Sequence, residues 1–160
     1  MLRLGRLMAG ECHVPSGRRM GPSVFIVDDE EAIVEAYQAI LENEGIRVID
    51  TASNGKEALE KFKALKDRPD VVLMDQIMPS LDGISTMVEM HKIDPSLKVL
   101  FISADPASRS LAIRSGAIAF IEKPFRVTEF ITAVRRAIKN GPGAIDEENR
   151  PNIMIKPPMR

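Results

Sequence analysis

The sequence predicts an α/β fold, a parallel sheet covered on both faces by helices. Three observations predict it. Short, wholly apolar runs recur along the chain (VFIV at 24–27, VVLM at 71–74, VLFI at 99–102). Segments with apolar residues at helical spacing lie between them, and Gly, Asn or Asp punctuates the joins. An apolar run that is not alternating suits a strand buried on both faces, and regular strand–helix alternation suits parallel pairing through helical crossovers.

Each element has its own signal. Val24–Val27 is the first strand. Glu31–Glu44 carries Ile33, Tyr37, Ile40 and Leu41 on one helical face and stops at Gly45. Arg47–Ala52 is a second strand, and Asn54 with Glu57 forms a capping-box-like start to a helix presenting Ala58, Phe62 and Leu65. Val71–Met74 is the third strand, ending at Asp75. Asp82-Gly83 opens a helix presenting Ile84, Met87 and Val88, with His91 expected on its surface. Val99–Ile102 is the fourth strand, ending at Ser103. A helix is expected to begin at Pro106 and to end at Ser115-Gly116. Ala119–Ile121 is a short fifth strand, followed by Lys123-Pro124. The last helix, Val127–Lys139, faces inward with Phe130, Ile131, Val134 and Ile138.

The chain has 160 residues, enough for one domain with an ordinary core. A net charge of −1 gives no reason to expect nucleic-acid or anionic-membrane binding. No apolar run approaches the roughly 20 residues of a membrane helix. The single cysteine, Cys12, excludes an internal disulfide and fits a reducing cytoplasm, the expected location. Residues 1–22 are basic and mildly apolar, but Arg6 interrupts any signal-like core, and Glu11 sits where a lipoprotein site needs a small residue. They are expected to be a disordered arm, or sequence upstream of a start at Met20. Residues 141–160 hold four prolines and no periodicity and are expected to be a flexible tail, with the apolar island Ile153-Met154-Ile155 inside it. The domain proper is expected over residues 22–140.

Ligands of open α/β sheets bind beyond the carboxyl ends of the strands. Those ends carry Asp28 and Asp29, then Asp75, then Ser103, then Lys123. Helix capping would explain one such acid, but not this series on successive strands. Three converging carboxylates suit a hard divalent cation such as Mg²⁺, which offsets their repulsion. A lysine and a hydroxyl beside them are placed to hold an anion, so the set points to phosphoryl transfer onto a carboxylate.

The motifs VFIVDDE, VVLMDQIMPSLDG, FISA and AFIEKPF together resemble the receiver domain of two-component response regulators, over about residues 22–140. The resemblance implies a flavodoxin-like (βα)5 fold with strand order 2-1-3-4-5. It also implies that Asp75 accepts the phosphoryl group and that Asp28, Asp29 and the main-chain carbonyl of Ile77 help to hold Mg²⁺. By the same resemblance Ser103 is the switch hydroxyl, Lys123 pairs with a phosphoryl oxygen, and Pro124 comes after a cis bond. Phe120 would be the switch aromatic, its ring turning inward from the surface when Ser103 moves. The face that changes would include Leu111, Ile113, Arg109, Arg114 and Arg135. The implied donor is a sensor histidine kinase or a histidine phosphotransfer protein, and the protein would be a monomer or a phosphorylation-dependent homodimer. It would be a signalling phosphoacceptor rather than an enzyme, with no output domain, or else an intermediate in a phosphorelay.

Two other classes compete. A phosphatase of the haloacid dehalogenase type also uses Asp, Mg²⁺ and Lys, but needs a D-x-D motif where this chain has adjacent Asp28-Asp29. A phosphorylation-independent interaction module would keep the acidic pocket as a relic. Loss of the acceptor or of the lysine is the usual sign of one, and both are present here.

Overall fold

The computed structural model describes residues 21–139 and 154–155. Five parallel strands alternate with five helices in this order: β1 (Ser23–Val27), α1 (Glu31–Asn43), β2 (Arg47–Ala52), α2 (Gly55–Ala64), β3 (Val71–Asp75), α3 (Gly83–Ile93), β4 (Val99–Ser103), α4 (Ser108–Ser115), β5 (Ala119–Glu122) and α5 (Val127–Lys139). A two-residue strand β6 (Met154–Ile155) comes after them. The sheet order is β2-β1-β3-β4-β5-β6. The first five strands thus run in the expected order 2-1-3-4-5, and β6 adds an antiparallel rung at the β5 edge.

The side-chain period of a strand explains how two cores form around one sheet. Val24 and Ile26 point to one face with Leu73, Leu100 and Ile102, where Tyr37 and Leu41 of α1 and Phe130 and Val134 of α5 cover them. Phe25 and Val27 point to the other with Val72, Met74 and Phe101, covered by Phe62 of α2 and Met87 and Met90 of α3. The chain steps from β1 outward to β2, then crosses back over β1 to β3. Right-handed crossovers taken in opposite directions put their helices on opposite faces, which separates α1 from α2 and α3. The reversal leaves a crevice at the carboxyl ends of β1 and β3.

The α2 cap is built as its sequence suggests, with one displacement. The Asn54 side chain accepts from Glu57 N–H at 2.8 Å. Glu57 reaches back to Ser53 rather than to Asn54, taking its N–H at 2.9 Å and its hydroxyl at 2.7 Å. Those bonds and the Lys61 ammonium hold the Glu57 carboxyl down at about 2. Asn54→Ala is expected to cost about 1 kcal/mol with the fold retained, measured by urea unfolding.

Three local expectations need correction. Helix α4 begins at Ser108, because Pro106 lies in the turn where Asp105 accepts from Ala107 N–H and Ser108 Oγ–H. On α3 the buried apolar side chains are Met87 and Met90, whereas Val88 is exposed, one position past the edge of the stripe. His91 is half-buried, its Nε2 2.9 Å from the Leu97 carbonyl, so it ties the end of α3 to the approach to β4. The expected arm falls outside the described residues, apart from Gly21 and Pro22. So does the expected tail, apart from Met154 and Ile155.

Candidate functional site

Backbone register assembles the crevice before any side chain is considered. Val27 lies opposite Met74, so Asp28 leaves β1 beside Asp75 at the end of β3. Asp75 lies opposite Ile102, so Ser103 is the next residue along β4. Ser103 lies opposite Glu122, and Lys123 N–H donates to the Ser103 carbonyl at 2.9 Å. Four neighbouring strand ends therefore deliver acid, acid, hydroxyl and amine in spatial order.

Carboxylate oxygens of Asp28, Asp29 and Asp75 all lie within 4.8 Å of one another. Asp28 is buried, Asp29 is exposed and Asp75 is 9% exposed. Lys123 reaches over them, its Nζ 3.3 Å from Asp75 Oδ1 and 3.7 Å from Asp28 Oδ2. Phe125, two residues on, packs into the core beside α1 and α5. The Lys123-Pro124 bond is cis, and Phe125 stacks on Phe130 at 5.7 Å, which itself stacks on Tyr37 at 4.7 Å.

Burial pushes the Asp75 carboxyl up, against the pull of the Lys123 ammonium. It pushes Asp28 up as well, although Oδ1 accepts Glu30 N–H at 2.9 Å and Lys123 is near. Tyr37, buried behind the acids, is raised by its own burial and by their charge. The cluster is thus short of positive charge. Three carboxylates against one ammonium leave about two negative charges, the complement of a hard dication on oxygen ligands. The donor set fits Mg²⁺.

The loop leaving Asp75 is shaped around this edge. Gly83 opens α3 against the strand, and a Cβ there would stand 2.2 Å from the Asp75 carbonyl oxygen and 2.9 Å from the Phe101 ring. Only glycine permits that approach. Gln76, which sequence reading passed over, closes the loop by accepting Gly83 N–H on its main chain and Ile84 N–H on its side chain. Met74 and Met78 are packing, as their apolar neighbours suggest. Ile77 sits in the same loop with its side chain 68% exposed.

Ser103 is buried, and its Oγ accepts Asp105 N–H at 3.1 Å, which leaves its own proton to donate. Phe120 departs from expectation. Its ring is fully buried rather than at the surface, beneath the Arg109 guanidinium at 5.3 Å. Arg109 also pairs with Glu122 at 3.0 Å, bridging α4 to the residue before Lys123. The inward ring gains core packing and a cation–π contact. Glu122 was missed from the sequence, where its one signal is an acid beside the strand-end lysine. Arg135 turns away from the expected face and pairs with Glu44 at 2.6 Å, across the α1 side.

Comparison with known proteins agrees with this architecture. The response regulator receiver domain model matches residues 24–135. The chemotaxis protein CheY of Thermotoga maritima is 40% identical over 122 residues, covering 75% of this chain and all of that one. CheY of Bacillus subtilis is 34% identical over 121 residues, covering 74% and 99%. Among solved structures, the CheX–CheY–BeF3–Mg complex of Borrelia burgdorferi superposes with a TM-score of 0.71 at 31% identity, covering 76% of this chain and 92% of that one.

Proposed function

Because this chain belongs to the response regulator receiver family, whose CheY-like members are signalling phosphoacceptors, we propose that it takes a phosphoryl group onto Asp75 from a histidine kinase or histidine phosphotransfer protein. The observation that carries this reading is Lys123 Nζ at 3.3 Å from Asp75 Oδ1, inside a three-carboxylate cluster. An Asp75 oxygen attacks phosphorus, the P–O bond forms as the P–N bond of the phosphohistidine breaks, and the imidazole leaves with its electron pair. Lys123 and the Ser103 hydroxyl are in reach to take phosphoryl oxygens as charge-assisted partners. Asp28, Asp29, Asp75 and the Ile77 carbonyl would hold Mg²⁺, which supplies charge neutralisation at the transferring group. Family membership weighs against the dehalogenase-type phosphatase.

The switch is proposed to start at Ser103. Its Oγ gives up the Asp105 amide to serve the phosphoryl group, and that loosens the turn entering α4. Phe120, Arg109 and Glu122 then feel the change through α4 and β5. A partner that prefers the altered face is then recruited.

Fluorine NMR tests the site with beryllofluoride standing in for the phosphoryl group. Bound fluoride resonances are expected in wild type only with Mg²⁺ present, and their absence at millimolar beryllofluoride would overturn the assignment. Ser103→Ala is expected to keep the bound resonances but to lose most of the amide shifts across Asp105–Gly116. Unchanged shifts in that variant would remove Ser103 from the switch.

A further inference from the structure

We propose that the outer edge of β5 is a docking edge for an extended apolar peptide, and that the chain's own Met154–Ile155 strand is its resident occupant. Strand β5 ends the parallel series, so one row of its backbone donors and acceptors would otherwise lie open, a template for another strand. Ile118 N–H donates inward to the Val99 carbonyl at 2.9 Å, and strand alternation turns the next amide, Ala119 N–H, outward. Ala119 is where Ile155 pairs, antiparallel, with Phe120 opposite Met154.

The sequence of the occupant suits this role. Ile153-Met154-Ile155 is the one apolar triplet after α5, set between Pro151 and the Pro157-Pro158 pair. Proline cannot donate to a ladder, so the strand is bounded on both sides and stays short. A short strand held by few backbone bonds is weak alone, but its tether gives it an effective concentration of about millimolar. A partner strand seeking the same edge must therefore compete with it, and the recognition is main-chain pairing with apolar side chains, as in β-strand addition. The edge matters because the same strand leads through Glu122 to Lys123 and carries Phe120 under Arg109.

Amide hydrogen exchange at Ala119 in the full chain tests the proposal. Ile155→Pro removes the main-chain N–H of the residue paired with Ala119 and lies outside the parallel sheet, so the fold should stand. Ala119 is expected to exchange at least about tenfold faster in Ile155→Pro than in wild type, with Leu73 unchanged and Ile155→Val like wild type. Equal Ala119 exchange in wild type and Ile155→Pro would overturn the resident strand. A peptide of residues 150–160, added at about millimolar concentration, is expected to restore Ala119 protection in Ile155→Pro. Failure to do so would overturn the docking edge. Neither arm uses a phosphoryl donor, so both can fail while the phosphoacceptor reading stands.

Discussion

Asp75→Asn is expected to take no phosphoryl group from any donor, with labelling at background by phosphohistidine protein and by acetyl phosphate alike. The amide oxygen can still accept the Lys123 ammonium, so the loop and the lysine should keep their places. What is lost is the anionic nucleophile, one carboxylate of the metal cluster and the charge that orients both. The variant should nevertheless fold better without metal. Burial holds the Asp75 carboxyl above its ordinary value, so its ionised form at neutral pH works against the folded state. Removing that charge is expected to raise the unfolding free energy in chelator, read as a higher urea midpoint. A labelled, base-labile adduct at wild-type level in this variant would mean the acceptor lies elsewhere.

Asp28→Asn separates metal holding from phosphoryl acceptance. Asn at 28 can keep the bond from Glu30 N–H, so geometry is retained while the buried charge goes. Wild type is expected to gain several degrees of melting temperature from millimolar Mg²⁺, and the variant almost none. The pH dependence has a definite sign. Asp28 and Asp75 both have folded-state values raised above 3.8, so their stabilising contribution is complete below 3.8 and is lost as pH rises through the raised values. Metal-free wild type should therefore lose stability relative to Asp28→Asn on going from acid to neutral pH. Other carboxylates such as Glu57, held down at about 2, cancel in the difference between the two proteins. A difference that stays flat from acid to neutral pH would show that burial does not penalise the Asp28 charge.

The sheet was legible because its strands are buried on both faces and so read as apolar runs, while the helices repeat at another period. The site was legible for a related reason. Strand ends are fixed by the runs that precede them, so Asp28, Asp75, Ser103 and Lys123 converge once the strands pair in the order 2-1-3-4-5, which the family resemblance implied and periodicity alone did not. Which of Asp28 and Asp29 is buried was not legible, since adjacent acids look alike until the ladder, with Asp28 N–H donating to the Ala52 carbonyl, carries the first inward. Strand β6 escaped because two residues have no period to read. The inward Phe120 escaped because its partner Arg109 is distant in sequence, and a ring at a strand end reads the same whether covered or bare. Arg135 was drawn to Glu44 by a charge 91 residues away along the chain, far beyond any local pattern.

The central claim is that these strand ends make Asp75 a phosphoacceptor, and intact mass spectrometry of the full chain after incubation with acetyl phosphate tests it most directly. With Mg²⁺ the account predicts a gain of one phosphoryl mass, removed by brief alkali and reduced by borohydride to homoserine at position 75. With chelator it predicts no gain. An unmodified mass in the presence of Mg²⁺, or homoserine at any other aspartate, would contradict it.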